Sequence, residues 1–252
     1  LQKLQGAVDG GSLQLSAATK TVPPREEYTR TYSSSDAGLS ALMENFAKDH
    51  PGTYGVSMIE LDGKKRRAEY NGDKQFVTAS TYKLLVAYSV LKRIDSGARS
   101  WDSDQTCFNK MISLSDNACA ESFLHAIGVN ALTSEANSIG LKNSTFMKGG
   151  GPYTTANDQV LLLGMIATGQ NFSSTNQQRL IEAMKKNVYR KGIPAGVSGT
   201  VADKVGFMNG LLHDSAIVYS PHGTYVLSIM TEGSSWPVIA DLAKQIDNLR
   251  AQ

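Results

Sequence analysis

One segment of the sequence carries apolar side chains on almost every side at helical spacing. Residues Thr81–Arg93 contain neither proline nor glycine, and they place six such side chains along one predicted helix: Leu84, Leu85, Val86, Ala87, Val90 and Leu91. A helix without a polar face belongs in the middle of a core rather than on a surface. The sequence therefore predicts a central helix that other elements must enclose.

Segments typical of β-strands occur near both ends of the chain. Tyr54–Leu61 and Arg66–Tyr70 form a predicted hairpin, and Thr200–Phe207, Ser215–Ser220 and Thr224–Thr231 follow in the last third. The short connections favour antiparallel pairing, because parallel strands need long crossovers. The first hairpin finds partners only if it joins the later strands, so we expect one sheet built from both chain ends.

The remaining elements are predicted helices, which makes the fold class α+β. Apolar residues at Leu39, Leu42, Met43 and Phe46 share one helix face, and a last helix closes the chain. Between the strands, an all-helical subdomain is expected at about residues 95–190. Residues 1–34 are predicted to be a tail or linker, and residues 35–252 one domain.

Composition narrows the classes of function. The chain has 252 residues, of which 41% are hydrophobic and 19% charged, as in water-soluble globular proteins. Its net charge of +2 is too small to attract a phosphate backbone, so we expect no nucleic-acid partner. No apolar run reaches the roughly 18 residues that span a bilayer. The sequence starts at Leu1, so a membrane anchor outside it remains possible.

The residues that commonly bind metals are few and scattered. Cys107 and Cys119 are too few for a site of four thiolates, and the four histidines show no ligand spacing. We expect neither a metal nor another cofactor. The two cysteines either pair in an oxidising compartment or stay reduced in the interior, and their spacing leaves both options open.

Ser80 and Lys83 lie three residues apart at the start of the predicted central helix. They share one helix face, and the apolar surroundings would lower the pKa of the lysine and leave a neutral amine to take the serine proton. The free N–H groups at the helix start favour developing negative charge. The alternative is a capping serine followed by a surface lysine. This alternative is less favourable here, because the helix is expected to be buried and an unpaired lysine is costly in the interior.

Two later motifs extend this pattern. Ser115-Asp116-Asn117 offers a second hydroxyl and an amide, and Lys204-Val205-Gly206 places a lysine and a glycine on a predicted strand. Lys204 would bind a substrate carboxylate, and Gly206 would let a ligand approach the backbone closely. Taken alone, the first motif is an ordinary helix cap and the second an ordinary strand lysine. Together and in this order, the motifs indicate an acyl-transfer site.

The ordered set S-x-x-K, S-D-N and K-x-G resembles that of penicillin-recognising serine enzymes, namely class A β-lactamases and penicillin-binding proteins. The likeness spans roughly residues 36–250 and includes Ala68–Gly72, Tyr153–Asp158 and Ile193–Gly196. It implies a five-stranded antiparallel sheet flanked by helices, an inserted helical subdomain, and an active site between the two. It also implies that Ser80 is the acylated nucleophile, Lys83 its base and Ser115 a proton relay.

The same resemblance assigns the residues that would bind the substrate. Asn117 would contact the substrate amide and Lys204 its carboxylate, beside Gly206. Backbone N–H groups of Ser80 and Phe207 would form the oxyanion hole. The substrate would be a β-lactam or a small acyl-D-Ala-D-Ala compound, and we expect a monomer acting outside the cytoplasm.

The sequence departs from class A β-lactamases at the step that releases the product. These enzymes carry a glutamate on a loop, which activates the deacylating water. The corresponding residues 143–153 contain no carboxylate, and Glu135 falls on the preceding helix pattern. Val205 also replaces the usual hydroxyl residue, and Arg190 is a candidate for a compensating charge. We therefore expect a serine hydrolase that is acylated by β-lactams and deacylates slowly. The alternatives are a D-Ala-D-Ala peptidase or penicillin-binding protein, and a catalytically silent binding module.

Overall fold

The structure is a computed structural model that describes residues 34–252. Its strands are β1 (Ser34–Ser35), β2 (Thr53–Glu60), β3 (Arg66–Tyr70), β4 (Phe76–Val77), β5 (Tyr153–Thr154), β6 (Thr200–Met208), β7 (Leu211–Ser220) and β8 (Gly223–Glu232). Its helices are α1 (Ala37–Asp49), α2 (Lys83–Asp95), α3 (Trp101–Ser113), α4 (Asn117–Ile127), α5 (Val129–Ser138), α6 (Ala156–Thr168), α7 (Ser174–Lys185), α8 (Ile193–Gly196) and α9 (Trp236–Arg250). The predicted tail, residues 1–34, lies outside the described residues except for Ser34, which already pairs in β1.

The predicted sheet from both chain ends is confirmed. Its order is β1-β3-β2-β8-β7-β6, and the five long strands pair antiparallel. Central pairing of β2 with β8 joins the first hairpin to the C-terminal strands, as expected. Two features were not predicted: the two-residue β1, which runs parallel to β3, and a small second sheet of β4 and β5. Strands of two residues are too short to leave a periodic pattern in the sequence.

Apolar residues cover both faces of the large sheet. On one face α1 and α9 pack through side chains such as Met43 and Leu242, which are fully buried. The other face belongs to a second core that contains α2 and α6, and Leu84–Leu91 are all buried there. Central burial of α2 fixes the depth of Lys83, the first residue of that helix.

A disulfide between Cys107 and Cys119 joins α3 to α4. The two cysteines are therefore paired rather than reduced, a question that their spacing left open. Cys119 follows Asn117 within the first turn of α4, so the crosslink also anchors the start of this helix. No helix within residues 34–252 is both long and apolar enough to cross a membrane. In the same residues, no cluster of three or more His, Cys, Asp or Glu side chains could hold a metal ion.

Candidate active site

Ser80 lies in a turn of 3-10 helix, Ala79–Tyr82, that leads directly into α2. Ala79 has a φ of 45°, a left-handed conformation that costs energy for a residue other than glycine. Thr78 holds the turn, because its carbonyl accepts hydrogen bonds from the Thr81 backbone N–H at 3.1 Å and the Thr81 hydroxyl at 2.7 Å. The turn leaves Ser80 partly exposed at the entrance to the core.

A buried histidine secures the strand that precedes this turn. The Nε2 of His213 lies 2.9 Å from the Val77 carbonyl oxygen, and its Nδ1 accepts from the Thr231 N–H at 3.1 Å. Nε2 must therefore carry the proton. Burial lowers the pKa of His213 to about 4, so it stays neutral and keeps both bonds.

Lys83 is fully buried, and its ammonium nitrogen lies 3.2 Å from Ser80 Oγ. It also contacts the Ser115 carbonyl oxygen at 2.7 Å, Ser115 Oγ at 3.2 Å and Asn117 Oδ1 at 2.6 Å. Burial lowers the pKa of Lys83 to about 8, although the charges of Asp116 and Glu121 act in the opposite direction. A neutral fraction is thus available near neutral pH.

The four contacts of Lys83 suit a base. A neutral amine has two N–H groups and one lone pair. The two shortest contacts, to the Ser115 carbonyl and to Asn117 Oδ1, use both N–H groups and leave the lone pair for a hydroxyl proton. Since Asn117 Oδ1 is occupied, the Nδ2 donors of Asn117 remain for a substrate.

Ser115 joins the two lysines of the site. It has a φ of 58°, and its Oγ lies 3.2 Å from Lys83 Nζ and 2.9 Å from Lys204 Nζ. Lys204 is buried and also donates to the Val205 carbonyl at 2.7 Å. Its pKa is lowered to about 7, first by burial and then by the nearby charge of Lys83. Two ammonium groups this close repel each other. The site therefore favours a state in which one of the two lysines is neutral.

Gly206 brings β6 against the turn that carries Ser80. A Cβ atom at this position would lie 2.8 Å from the Thr78 carbonyl oxygen and 2.9 Å from the Ser80 nitrogen. The next residue, Phe207, lines a cleft of about 380 Å³ together with Ser80 and Asn117. All seven predicted site residues therefore meet at this cleft: five through hydrogen bonds, Gly206 through close backbone packing and Phe207 as a wall.

The sequence matches the model of the Beta-lactamase enzyme family over residues 38–107 and 103–249. The chain belongs to this family. Its fold and its family support a function like those of serine β-lactamases and penicillin-binding proteins. No curated protein sequence matches the chain significantly.

Solved structures of other proteins share the fold. The structure of PBP-A is 20% identical with a TM-score of 0.79, and the match covers 91% of this chain and 98% of that chain. A mutant of PBP-A, solved as an acyl-enzyme complex with penicillin G, gives 20% identity, a TM-score of 0.79 and coverages of 90% and 98%. An ancestral class A β-lactamase is 24% identical with a TM-score of 0.76, and the match covers 84% of this chain and 99% of that chain.

The loop of residues 143–153 borders the cleft of this β-lactamase-family chain without adding an acid to it. Gly150, Gly151 and Pro152 line the cleft, and the Pro152 carbonyl accepts a hydrogen bond from the Thr78 N–H at 2.9 Å. The loop contains no carboxylate. Glu135 does not replace one, because it forms a bidentate ion pair with Arg93 at 2.7 and 3.0 Å.

A buried acid pair lies on the other face of β6 from Lys204, and the motifs gave no signal for it. Asp203 and Asp214 interact directly, and burial together with their mutual repulsion raises the pKa of Asp214 well above its usual value. A proton held between the two carboxyl groups would relieve this repulsion. Arg190 pairs with Asp203 at 3.0 Å and with the Val201 carbonyl at 3.2 Å. These two contacts hold the guanidinium of Arg190, which is 40% exposed and lines a pocket together with Val205. Its role as a compensating charge stays a prediction.

Proposed function

We propose that this chain is a serine hydrolase that forms an acyl-enzyme with β-lactams through Ser80 and releases the product slowly. The observation that carries the proposal is the contact between Ser80 Oγ and Lys83 Nζ at 3.2 Å, in a site where burial lowers the pKa of the lysine to about 8. A serine hydroxyl needs such a base to become a nucleophile.

Acylation would proceed in two proton-coupled steps. Ser80 Oγ attacks the lactam carbonyl carbon while its proton passes to Lys83 Nζ. The carbon–nitrogen bond then breaks, Ser115 Oγ gives its proton to the leaving nitrogen, and Lys83 returns the proton to Ser115. The distances of 3.2 Å from Lys83 Nζ to each hydroxyl support this route. Both lysines end the step in the charge states in which they began.

Charge coupling between the lysines would prepare the base when a substrate binds. A substrate carboxylate beside Lys204 holds the proton on that residue. Repulsion from the ammonium of Lys204 then favours the neutral form of Lys83, since the two share Ser115 Oγ as a neighbour. Substrates with a carboxylate in this position would therefore react faster than those without it.

The oxyanion would be bound by the N–H groups of Ser80 and Phe207. Close packing of Gly206 on the Ser80 nitrogen supports this pairing, because it brings both backbones to one wall of the cleft. Such donors contribute about 3 kcal/mol to stabilising a transition state.

Hydrolysis of the acyl-enzyme would be the slow step. Water must be aligned and deprotonated to attack the ester, and general base catalysis is worth about 10²–10⁴-fold. The loop of residues 143–153 supplies no carboxylate for this task. The ester on Ser80 should therefore last many times longer than it takes to form.

A peptidase acting on D-Ala-D-Ala peptides is the second candidate. Such a peptide also has an acyl carbonyl next to a leaving nitrogen and a terminal carboxylate for Lys204. The glycine-rich border of the cleft, with Gly150 and Gly151, favours this candidate because it leaves room for an extended peptide. Release of D-alanine from a diacyl-lysyl-D-Ala-D-Ala peptide, compared with turnover of a chromogenic cephalosporin, would separate the two activities.

Labelling with a fluorescent penicillin tests the proposal. We expect a stable fluorescent band for the wild-type protein and none for Ser80→Ala, with Ser122→Ala, an exposed serine on α4, labelled like wild type. A wild-type protein that binds the penicillin without covalent labelling would instead indicate a silent binding module and contradict the proposal.

We further propose that the protein works outside the cytoplasm. The disulfide between Cys107 and Cys119 supports this location, because such bonds persist mainly in oxidising compartments. Recovery of the native protein with this bond intact in an extracytoplasmic fraction would support the location. Exclusive recovery of the reduced protein in the cytoplasm would contradict it.

A further inference from the structure

A second pocket, of about 230 Å³, lies beside the catalytic cleft at β6, the end strand of its sheet. Val205 and Phe207 of β6 line it, together with Leu212 of β7, Trp236 at the start of α9, and the segment Val188–Gly192. The mechanism described above does not use this space.

Aromatic rings form much of the pocket wall. The rings of Tyr189 and Phe207 are 5.3 Å apart, and those of Phe207 and Trp236 are 6.4 Å apart, both edge to face. Gly192 permits this packing, since a Cβ there would lie 3.3 Å from the Trp236 ring. Phe207 is 46% exposed, so its ring already offers apolar surface to a ligand.

The segment that carries Tyr189 is held in place rather than free to collapse. The Tyr189 N–H donates to Asn187 Oδ1 at 3.0 Å, and Asn187 Nδ2 donates to the Tyr189 carbonyl at 3.1 Å. The Val188 N–H donates to the Ser113 carbonyl at 3.0 Å, and the Tyr189 hydroxyl to the Leu114 carbonyl at 3.4 Å. A pocket whose wall is fixed in this way does not have to be ordered by its ligand, which lowers the cost of binding.

Two cationic side chains line the pocket, Arg190 and Lys191, and neither is a free buried cation. Arg190 is engaged by Asp203 and by a backbone carbonyl, and Val205 has no hydroxyl. Lys191 is exposed at the rim. We therefore expect an apolar group to bind here more tightly than a carboxylate. The buried cation that suits a carboxylate is Lys204, which lies in the cleft.

The pocket adjoins the catalytic cleft at Phe207, which lines both. Lys204 and Val205 both belong to β6, so the lysine that would bind the substrate carboxylate and this pocket lie along the same end strand of the sheet. We propose that the pocket is a subsite of the same active site that takes a large apolar side chain carried next to the substrate carboxylate. The inference rests on the proposed function.

This subsite would define a substrate class. Among β-lactams it favours cephalosporins with an aryl group beside the carboxylate, and among peptides it favours a bulky apolar D-residue over D-alanine at the C-terminus. Size supports this choice, because an engineered apolar cavity of roughly 150 Å³ already binds benzene. A methyl group would leave most of the pocket unfilled.

Three cephalosporins that share one acyl side chain would test the preference. Their substituents beside the carboxylate would be methyl, styryl and carboxystyryl, and the measurement is the second-order rate constant for acylation of Ser80. We expect the styryl compound to react at least tenfold faster than the methyl compound, and the carboxystyryl compound to be slower than the styryl one. Equal rates, or a fastest carboxystyryl compound captured at Lys191, would overturn the inference.

Variants link this preference to the pocket. Trp236→Ala should bring the styryl-to-methyl rate ratio close to one, whereas Trp236→Phe should keep most of it. Met147→Ala truncates a side chain that is 56% exposed and lines neither cavity, so it should not change the ratio. An unchanged ratio in Trp236→Ala would overturn the assignment.

A binding measurement without catalysis separates this inference from the proposed function. Trp101 and Trp236 are the two tryptophans of the chain, so Trp101→Phe leaves Trp236 as the emitting residue. Benzyl alcohol should change its fluorescence saturably, and Leu212→Arg should abolish the change. If no β-lactam acylates Ser80 but this titration saturates, the proposed function fails while the apolar pocket stands. The absence of a saturable change would overturn the pocket.

Discussion

Two borders of the same cleft differ in how much chemistry they carry. One border is formed by the turn and first residue of α2, by the segment that leads into α4, and by β6. It brings Ser80, Lys83, Ser115 and Lys204 within 3.2 Å of a neighbour in the set. At the other border, residues 143–153 present glycine, proline and backbone atoms. The first region holds the groups that the proposed acylation uses, and the second has no carboxylate for the proposed deacylation.

In the proposed mechanism, different parts of the fold carry acylation and deacylation. Forming the ester would use groups on buried elements, and the contacts between these groups are present. Removing the ester needs one well-placed carboxylate, which a surface loop can lose without disturbing those elements. Loops tolerate such changes better than the elements they connect. Four substitutions test whether the two borders are as independent as the geometry indicates.

The largest effect is expected for Lys83→Met. Without the buried amine, no group close to Ser80 Oγ can take its proton, so the acylation rate should fall about 10²–10⁴-fold. Stopped-flow measurement with a chromogenic cephalosporin gives this rate. Lys92→Met, on the exposed side of the same helix, serves as the control. A rate for Lys83→Met within threefold of wild type would rule out the proposed base.

A pair of glycine substitutions compares the two borders directly. In Gly206→Ala the new methyl group would lie 2.8 Å from the Thr78 carbonyl oxygen, so the backbone beside Ser80 must move. Such a shift should slow acylation about 10–100-fold, since misplacement by about 1 Å costs up to 10²-fold. Gly149→Ala meets nothing within 4 Å and should acylate like wild type. If both variants behave alike, the close approach of β6 to the nucleophile is not required.

Returning a carboxylate to the loop should speed deacylation. Pro152 lines the cleft and contributes only its carbonyl to the Thr78 hydrogen bond, which a substitution keeps. We expect Pro152→Glu to release the acyl group about tenfold faster than Pro152→Gln. An aligned general base raises the rate about 10²–10⁴-fold, and a base that is not aligned should give only a small part of that increase. Recovery of free enzyme after removal of excess penicillin measures this rate. Identical release by the two variants would argue against a missing base as the cause.

The smallest effect concerns the pH dependence of acylation. The rate should rise with pH as Lys83, whose pKa is about 8, becomes neutral. The charge of Glu121 raises that pKa, so Glu121→Gln should lower it and move the rising limb to lower pH. A shift of about a few tenths of a pH unit is expected, since Glu121 is exposed and screened. Glu44→Gln, far away on α1, should leave the limb in place. A shift to higher pH would contradict the sign of this interaction.

The same contrast explains what could be predicted from the sequence. The buried helix and the strands of both chain ends follow from side-chain periodicity, which is strongest in long elements. The residues from Ser80 to Lys204 lie in short motifs whose order is itself informative. In contrast, the Asp203–Asp214 pair and the ring contacts of Tyr189 and Trp236 depend on segments distant in sequence, and no local pattern records which residues will meet.

Time-resolved intact mass spectrometry after mixing with a stoichiometric amount of penicillin G tests the central claim most directly. We expect the wild-type mass to increase rapidly by the mass of the whole penicillin, and this adduct to persist long after free penicillin is gone. Ser80→Ala should show no adduct. A wild-type protein that stays unmodified while it destroys penicillin rapidly would contradict the account.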